Sequence, residues 1–547
     1  MSTLRDVGVV LGLAVAAALF LSWPLPLHLD THVLHPSMDP DVQCGLWWPR
    51  AFTDSVLAGQ DPFFRPELAW PEGQDVRLLI WNFWLQILLF PIYATLDPVT
   101  GMNVAALLGV VAAGVCGAAA AWWATERKDA ALAGLIVGTL SIYGLFESAA
   151  GRPEQGWWAP MALYFGALLR LNRHPGDKKA LLIAAASMAV AGATYWFYAI
   201  FLGVGTVAWT AWRLASRELD RQRFLDLIKV AVGSVVLVLP FVLPLASALS
   251  QADSDYAVMR DTMDTVGQQA RAAIEFPMAL TGSLSGGVRN PATALPAWSL
   301  PILIAGLFFK DSRGLALVGL LGASLCLGPH LVDSMGVPFR DRTIPMPHAL
   351  LNHLPGFGRF WWPYRWIALV LAVCAPIAGM LAARFRNPTA PLVAFALIAL
   401  VDAKLLHRSS TLGIHEVDVP TSLAQLADEP MSQPVLAWPL GTAENGMVGL
   451  VPFHRQPIDG GLAWNESSGL RSAAWSARLD EAPLFIGLNE IQTQGSTSQV
   501  LDESSDLAGF RWVVVFLPDE IQVANLSRWL GEPTERSGTF AIWKLPE

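Results

Sequence analysis

Charge is scarce in this chain. Only 15% of its 547 residues are Asp, Glu, Lys or Arg, and 53% are hydrophobic. A soluble globular protein carries about 25% charged residues, and a large core alone does not account for the deficit. Apolar runs long enough to cross a bilayer, about 20 residues each, recur through the first three quarters of the sequence. The shortage of charge therefore marks an integral membrane protein. Basic residues are scarcer still, 36 against 45 acidic ones for a net charge of −9, and no basic patch stands out. That argues against nucleic acid as a partner. Cysteine is nearly absent: Cys116, Cys326 and Cys374 lie inside apolar runs and Cys44 lies in a polar loop. Their spacing makes neither a zinc site nor a disulfide framework, and a structural role suits all four. Internal repeats and low-complexity tracts are missing as well. What is plentiful is tryptophan, 23 residues, a side chain that collects at membrane interfaces.

The apolar runs are predicted to make about eleven transmembrane helices: 7–28, 102–124, 131–150, 157–171, two within 181–212 with a tight turn near Trp196 and Phe197, 225–249, 298–309, 315–327, 361–383 and 391–406. The first has a long apolar core and no clean small-x-small site after it, which favours an uncleaved signal anchor. Lys and Arg mark the cytoplasmic loops. They cluster at Arg127/Lys128, 170–179, 213–223, Lys310/Arg313 and Arg384/Arg386. All five clusters face one side only if the further apolar run 78–96 stays in the interface. The N-terminus is then cytoplasmic. Three long loops, 29–77, 251–296 and 328–360, and everything after about His407 face the other side. The tail, 407–547, has strand-like runs at 434–440, 512–517 and 539–545 with a helix-like stretch at 521–530. It is expected to form a soluble extracytoplasmic α/β domain, separate from a membrane domain over 1–406.

The first outer loop holds the clearest chemistry. It opens with Asp39-Pro40-Asp41, two carboxylates with a proline between them that fixes the local backbone. A carboxylate at this depth can take a proton from an acceptor hydroxyl or bind a metal. It can equally be a solvated turn residue, since Asp and Pro both favour turns. From 42 to 57, Val42, Leu46, Trp47, Phe52, Val56 and Leu57 recur at helical spacing, which reads as an amphipathic helix lying on the membrane.

The loop resembles the first loop of the polytopic glycosyltransferases of the GT-C fold, in particular a bacterial branch. The resemblance rests on Asp39, Asp41, Trp47 and Trp48, then on Gly59, Asp61, Pro62 and Phe63, then on Trp70, Pro71, Gly73 and Asp75. A second match lies before the span that starts near Trp361: Leu354, Pro355, Phe357, Arg359, Phe360, Pro363, Arg365 and Trp366. A third is Pro457-Ile458-Asp459-Gly460-Gly461. Each motif is loose and their order is the specific feature. The chain departs from the pattern in having no His near 152–155, where many GT-C members carry one.

The resemblance implies an α-helical polytopic fold and a bacterial inner-membrane enzyme. Such an enzyme moves a hexosyl or pentosyl unit, with inversion, from a polyprenyl-phosphate donor to a glycan, lipid or protein acceptor on the extracytoplasmic face. It makes Asp39 or Asp41 the general base, and Arg359 and Arg365 ligands of the lipid phosphate. A guanidinium suits that task because it binds phosphate bidentately and neutralises the leaving group; interfacial snorkelling is the alternative. It also draws Trp47 and Asp75 toward substrate.

Glu147, Arg152 and Glu154 could line the same cavity, since ionisable groups near membrane depth are functional candidates, or could simply mark the interface. Tyr195, Trp196, Phe197 and Tyr198 read as an aromatic belt or a sugar contact. His330, His348 and His353 fit no metal motif. No resident metal is assigned, and a divalent ion at the carboxylates stays open. A flippase for lipid-linked saccharide is the main rival. It would be expected to show inverted repeats or broken helices at the midplane, whereas the ionisable residues here cluster at the outer face. A non-catalytic envelope assembly protein of the same fold is the third reading.

Overall fold

Backbone in an apolar run has no water to bond to and must close its hydrogen bonds locally, so these runs become helices. The structure, a computed structural model, describes residues 4–35, 40–68, 71, 73–76, 83–251, 295–329, 345–351, 353, 362–406, 412–428, 434–438, 451–456, 458, 482–501, 507, 509–516, 520–538 and 540–545. The first half runs α1 (Leu4–Leu21), α2 (Pro40–Leu57), α3 (Phe83–Tyr93), α4 (Pro98–Thr125), α5 (Lys128–Leu140), α6 (Ile142–Ala149), α7 (Pro153–Gly156), α8 (Ala159–Arg173), α9 (Lys178–Thr194) and α10 (Trp196–Ala215). Then come α11 (Arg221–Gln251), α12 (Ser299–Leu307), α13 (Lys310–Leu325), α14 (Pro347–Leu351), α15 (Ile367–Ala382) and α16 (Thr389–Val401). Among the described residues, five segments are long and apolar enough to cross a membrane: Pro98–Thr125, Lys128–Ala149, Trp196–Ala215, Arg221–Leu243 and Pro363–Ala382. The turn expected near Trp196 is the single residue Tyr195 between α9 and α10.

Small residues set how closely the helices pack. A Cβ on Gly117 would lie 2.3 Å from the Gly134 carbonyl, and one on Gly134 would lie 2.1 Å from the Gly117 carbonyl. α4 and α5 therefore pack backbone to backbone, as small residues allow in membranes. α15 threads the middle of the bundle with nearly all of its side chains buried.

The five basic clusters gather at one end. Arg127 donates to the Ala383 carbonyl at 2.6 Å, and Arg170 and His174 meet Glu126 at 3.2 and 3.0 Å. Lys310 reaches Glu218 at 3.4 Å and Arg384 reaches Asp311 at 3.2 Å. Lys128 pairs with Asp6 at 2.6 Å, which brings the start of α1 to the same end. The run 78–96 yields only α3, 11 residues. At 1.5 Å per residue that is about 16 Å, roughly half a hydrocarbon core. Arg50 of α2 donates to the Tyr93 and Leu96 carbonyls at 3.3 and 3.4 Å, tying the far end of α3 back to the loop from which the run started.

The first loop and the tail form one body. β1 (His32–Val33) pairs antiparallel with β4 (His415–Glu416), and β2 (Phe64–Arg65) pairs with β3 (Gln74–Asp75). The tail carries α17 (Thr421–Ala424), α18 (Val451–His454), α19 (Pro483–Gln494) and α20 (Glu520–Leu530). Its sheet consists of β5 (Val435–Trp438), β6 (Trp512–Phe516), β7 (Glu535–Arg536) and β8 (Phe540–Lys544), in the order β5-β6-β8-β7. β5 and β6 are parallel and the other pairs antiparallel. Alternation along the strands divides the sheet into two apolar faces. Leu436, Val513, Val515, Ala541 and Trp543 pack with Leu484, Leu488 and Leu526 of α19 and α20. Val435, Trp512, Val514, Phe540 and Ile542 pack against Trp47, Trp48, Ala51 and Phe52 of α2.

This differs from a helix lying on the membrane. The side of α2 that carries Val42 and Leu46 meets Val99 and Met102 of α4, and its tryptophan face covers the sheet. The reason is that a sheet apolar on both faces needs a layer on each: α19 and α20 cover one face, and on the other α2 joins Leu423 of α17 and Val451 of α18.

Candidate active site

The site is built where α6 stops. Helical backbone runs to Ala149, and Gly151 turns the chain at φ +78°. This left-handed conformation favours glycine, and the space demands it as well. A Cβ on Gly151 would sit 1.8 Å from the Asp41 carbonyl oxygen, and one on Gly45 would sit 2.6 Å from Gly151 Cα. The first turn of α2 thus rests on the Gly151 backbone, which places Asp41 beside the residue that follows the turn.

That residue is Arg152. Its Nη1 donates to Asp41 Oδ2 at 2.5 Å and its Nε to Glu147 Oε2 at 2.7 Å. Glu147 is fully buried, Arg152 keeps 21% of its side chain exposed, and Asp41 keeps 37%. Burial works against the Arg152 charge, but Glu147, Tyr364 and Asp41 outweigh it and hold the guanidinium protonated well above its ordinary range. The second Glu147 oxygen, Oε1, is buried and has no hydrogen-bond partner among the described residues. Glu154, on α7, accepts from Gln155 at 3.2 Å and lies within electrostatic range of Tyr195.

Arg365 is the second cation. It sits in a 3₁₀ turn, Pro363–Trp366, that leads into α15, and only 8% of it is exposed. Its Nη1 donates to the Tyr195 hydroxyl. Its guanidinium carbon lies 5.5 Å from the Tyr195 and Trp362 ring centres and 5.9 Å from that of Tyr364. Glu147 and Arg152 lie within electrostatic range, but no carboxylate pairs with Arg365 among the described residues, and its Nε is buried without a hydrogen bond. A buried cation without an anion is costly, so this environment is one that an anionic ligand would complete. Tyr198, whose hydroxyl donates to the Gln155 carbonyl, and Tyr143 are fully buried within electrostatic range of Glu147 and Arg365.

The structure therefore brings Asp41, Glu147, Arg152, Glu154 and Arg365 to one place. Trp47 and Asp75 sit elsewhere. Trp47 is wholly buried beneath the C-terminal sheet, with the Arg65 guanidinium 5.6 Å from its ring centre. Asp75 is exposed on β3, opposite Phe64. Arg65 and Glu67 form a buried ion pair, with Arg65 also donating to the Ala51 carbonyl and the Ser55 hydroxyl at 2.8 and 2.6 Å. Asp39, Arg359 and Trp70, most of the loops 251–296 and 328–360, and nearly all of the 457–461 match lie outside the described residues. Among the described residues no three His, Cys, Asp or Glu side chains converge as a metal site. Sequence reasoning passed over Tyr143, Tyr364 and Gly151. The signal for the last was the Gly151-Arg152-Pro153 sequence directly after the apolar run 131–150, which carries Glu147 near its end.

This arrangement of helices, first loop and C-terminal mixed sheet is the fold of the GT-C glycosyltransferases, shared over nearly the whole chain. The chain is similar to ArnT from Cupriavidus metallidurans bound to undecaprenyl phosphate, with a TM-score of 0.54 and 12% identity over 97% of each chain. It is similar also to the oligosaccharyltransferase AglB from Archaeoglobus fulgidus in complex with an inhibitory peptide and a dolichol-phosphate. There the TM-score is 0.51 and the identity 12%, over 99% of this chain and 74% of that one. A third is the arabinofuranosyltransferase AftD from Mycobacteria, with a TM-score of 0.53 and 14% identity, which this chain matches over its whole length but over only 42% of AftD. At such identities the likeness is one of fold. No protein-family model and no curated protein matches the sequence.

Proposed function

We propose that the protein is a membrane glycosyltransferase that moves a sugar from a polyprenyl-phosphate donor to an acceptor hydroxyl. The observation that carries this reading is the placing of a first-loop carboxylate, Asp41, near a buried guanidinium, Arg365, that has no carboxylate partner among the described residues, with the Glu147–Arg152 bridge between them. The same fold in ArnT bound to undecaprenyl phosphate and AglB in complex with dolichol-phosphate supports the donor class.

In the reaction, Asp41 or Asp39 removes the proton from the acceptor hydroxyl as that oxygen attacks the anomeric carbon. The anomeric C–O bond breaks on the opposite face, so the configuration inverts. The bonding electrons leave with the polyprenyl phosphate, whose growing negative charge Arg365 stabilises. Arg359 is its proposed helper. Arg152, fixed between two carboxylates, is suited to orienting Asp41 rather than to binding phosphate. The gathering of basic loops at the opposite end supports placing this site, and a tail domain from about residue 407, on the extracytoplasmic side of the membrane, with 1–406 as the membrane domain.

The test changes Asp39 and Asp41 separately to Asn and follows sugar transfer from a pool of polyprenyl-phosphate sugars. Loss of the base should cost on the order of 10²–10⁴-fold. Full activity in both variants would sink the assignment. A reporter fused after Leu406 should read as non-cytoplasmic, and a cytoplasmic signal would reverse the orientation.

A further inference from the structure

The end of the bundle opposite Asp41 contains a cleft of about 510 Å³ that the proposed reaction does not use. It lies between the last turn of α8, the α10–α11 turn and the start of α13. Five basic side chains line it, Arg173, Arg213, Arg217, Arg223 and Lys310, against three acidic ones, Glu218, Asp220 and Asp311. The carboxylates are already engaged. Glu218 takes Lys310 at 3.4 Å and Arg213 at 3.9 Å, Asp220 takes Arg223, and Asp311 takes Arg384 from outside the cleft. Arg173 and Arg217 are exposed and have no carboxylate partner among the described residues. Arg217 holds φ +57°, a left-handed conformation that a side chain other than Gly, Asn or Asp rarely adopts. Two positive charges are thus left over in a concave site whose size is ordinary for a small ligand.

We propose that this cleft binds a phosphate group, carried by the headgroup of an anionic membrane lipid. The chemistry fits phosphate because guanidinium groups dominate the lining and bind it through paired N–H donors. The lipid source is favoured by the neighbouring surface, where Leu214 and Phe308 are 67% and 75% exposed at the same end, next to any headgroup whose chains enter the hydrocarbon. Basic pockets between transmembrane helices are a recurrent way of holding such headgroups. The site is independent of the sugar-transfer reading.

The experiment uses the full chain in neutral detergent and measures retained phosphatidylglycerol and phosphatidylcholine by native mass spectrometry. Parallel arms contain inorganic phosphate and glycerol phosphate. Arg173→Gln combined with Arg217→Asn is compared with Arg5→Gln combined with Arg386→Gln, which removes the same charge from the same end outside the cleft. Phosphatidylglycerol should be retained over phosphatidylcholine, and the cleft variant should bind it about thirtyfold more weakly, at roughly one lipid-facing charge per 1 kcal/mol. The control variant should bind as the parent does. Tight binding of the soluble phosphates, lost in the cleft variant, would support the phosphate site and identify a soluble source. Equal loss in both variants, or no preference for the anionic lipid, overturns the proposal.

Discussion

Replacing Arg152 by Met should destabilise the protein far more than removing its charge together with that of Glu147. The single change keeps an unbranched apolar stem and strands the Glu147 carboxylate, which is fully buried and whose Oε1 already lacks a partner among the described residues. Leaving one member of a buried ion pair without the other costs about 3–5 kcal/mol. The double variant, Glu147→Gln with Arg152→Met, leaves a neutral amide and an aliphatic chain, at a cost of about 1–2 kcal/mol for hydrogen bonds lost to neutral groups. The two sites should therefore couple by about 2 kcal/mol or more, well above the few tenths found for independent positions. Asp41 gives a built-in control. Its side chain is 37% exposed, so Asp41→Asn should cost under about 1 kcal/mol, as for solvent-exposed pairs. Thermal unfolding of the purified variants in one detergent would rank them. Additive costs, or a single variant as stable as the parent, would refute the claim that Arg152 exists to neutralise Glu147.

Gly151→Ala should lose stability by about 3 kcal/mol, combining left-handed strain with the forced retreat of the Asp41 backbone, and in a transfer assay activity should fall with it; unchanged melting would show that the α2 contact is soft. Trp47→Ala should cost about 3–5 kcal/mol and expose the tail to limited proteolysis, because Trp47 is fully buried against the sheet; a variant as protease-resistant as the parent would argue that Trp47 is not part of that core. His348, buried on α14, has its imidazole pushed down from 6.5 to about 4 by burial. The unfolded chain takes up that proton first as pH falls. Stability tied to the neutral ring is therefore whole above pH 6.5 and declines toward pH 4, by up to about 3 kcal/mol. The melting temperature of His348→Gln, followed from pH 7 to pH 4, should fall less than that of the parent.

Features carried by short stretches were open to the sequence. Apolar runs at 434–440, 512–517 and 539–545 anticipated the strands Val435–Trp438, Trp512–Phe516 and Phe540–Lys544, and the clusters of Lys and Arg anticipated the one end where five loops meet. Features that depend on distant partners were not. Arg152 and Asp41 are 111 positions apart, and nothing local in either announces the other. The tryptophan face of α2 shows the limit most plainly. Its periodicity was correct, but an apolar face does not say whether lipid or a sheet covers it. Arg365 was legible as a cation near the membrane; its aromatic surroundings come from Tyr195, Trp362 and Tyr364, two of which flank it in sequence while the third arrives from the α9–α10 junction.

The cover that α2 gives the sheet has a consequence for how the chain is made. Phe52 leaves the ribosome roughly 460 residues before Val514, its eventual neighbour in one apolar cluster. At about 5–20 residues per second that is an interval of some 20–90 s. During it the tryptophan face of α2 has no sheet to cover, while the helices from α3 to α16 are being synthesised. An amphipathic helix binds a lipid interface by the same apolar area that it buries against protein. Until β6 and β8 are made, that apolar area on α2 waits without the sheet that covers it in the finished fold.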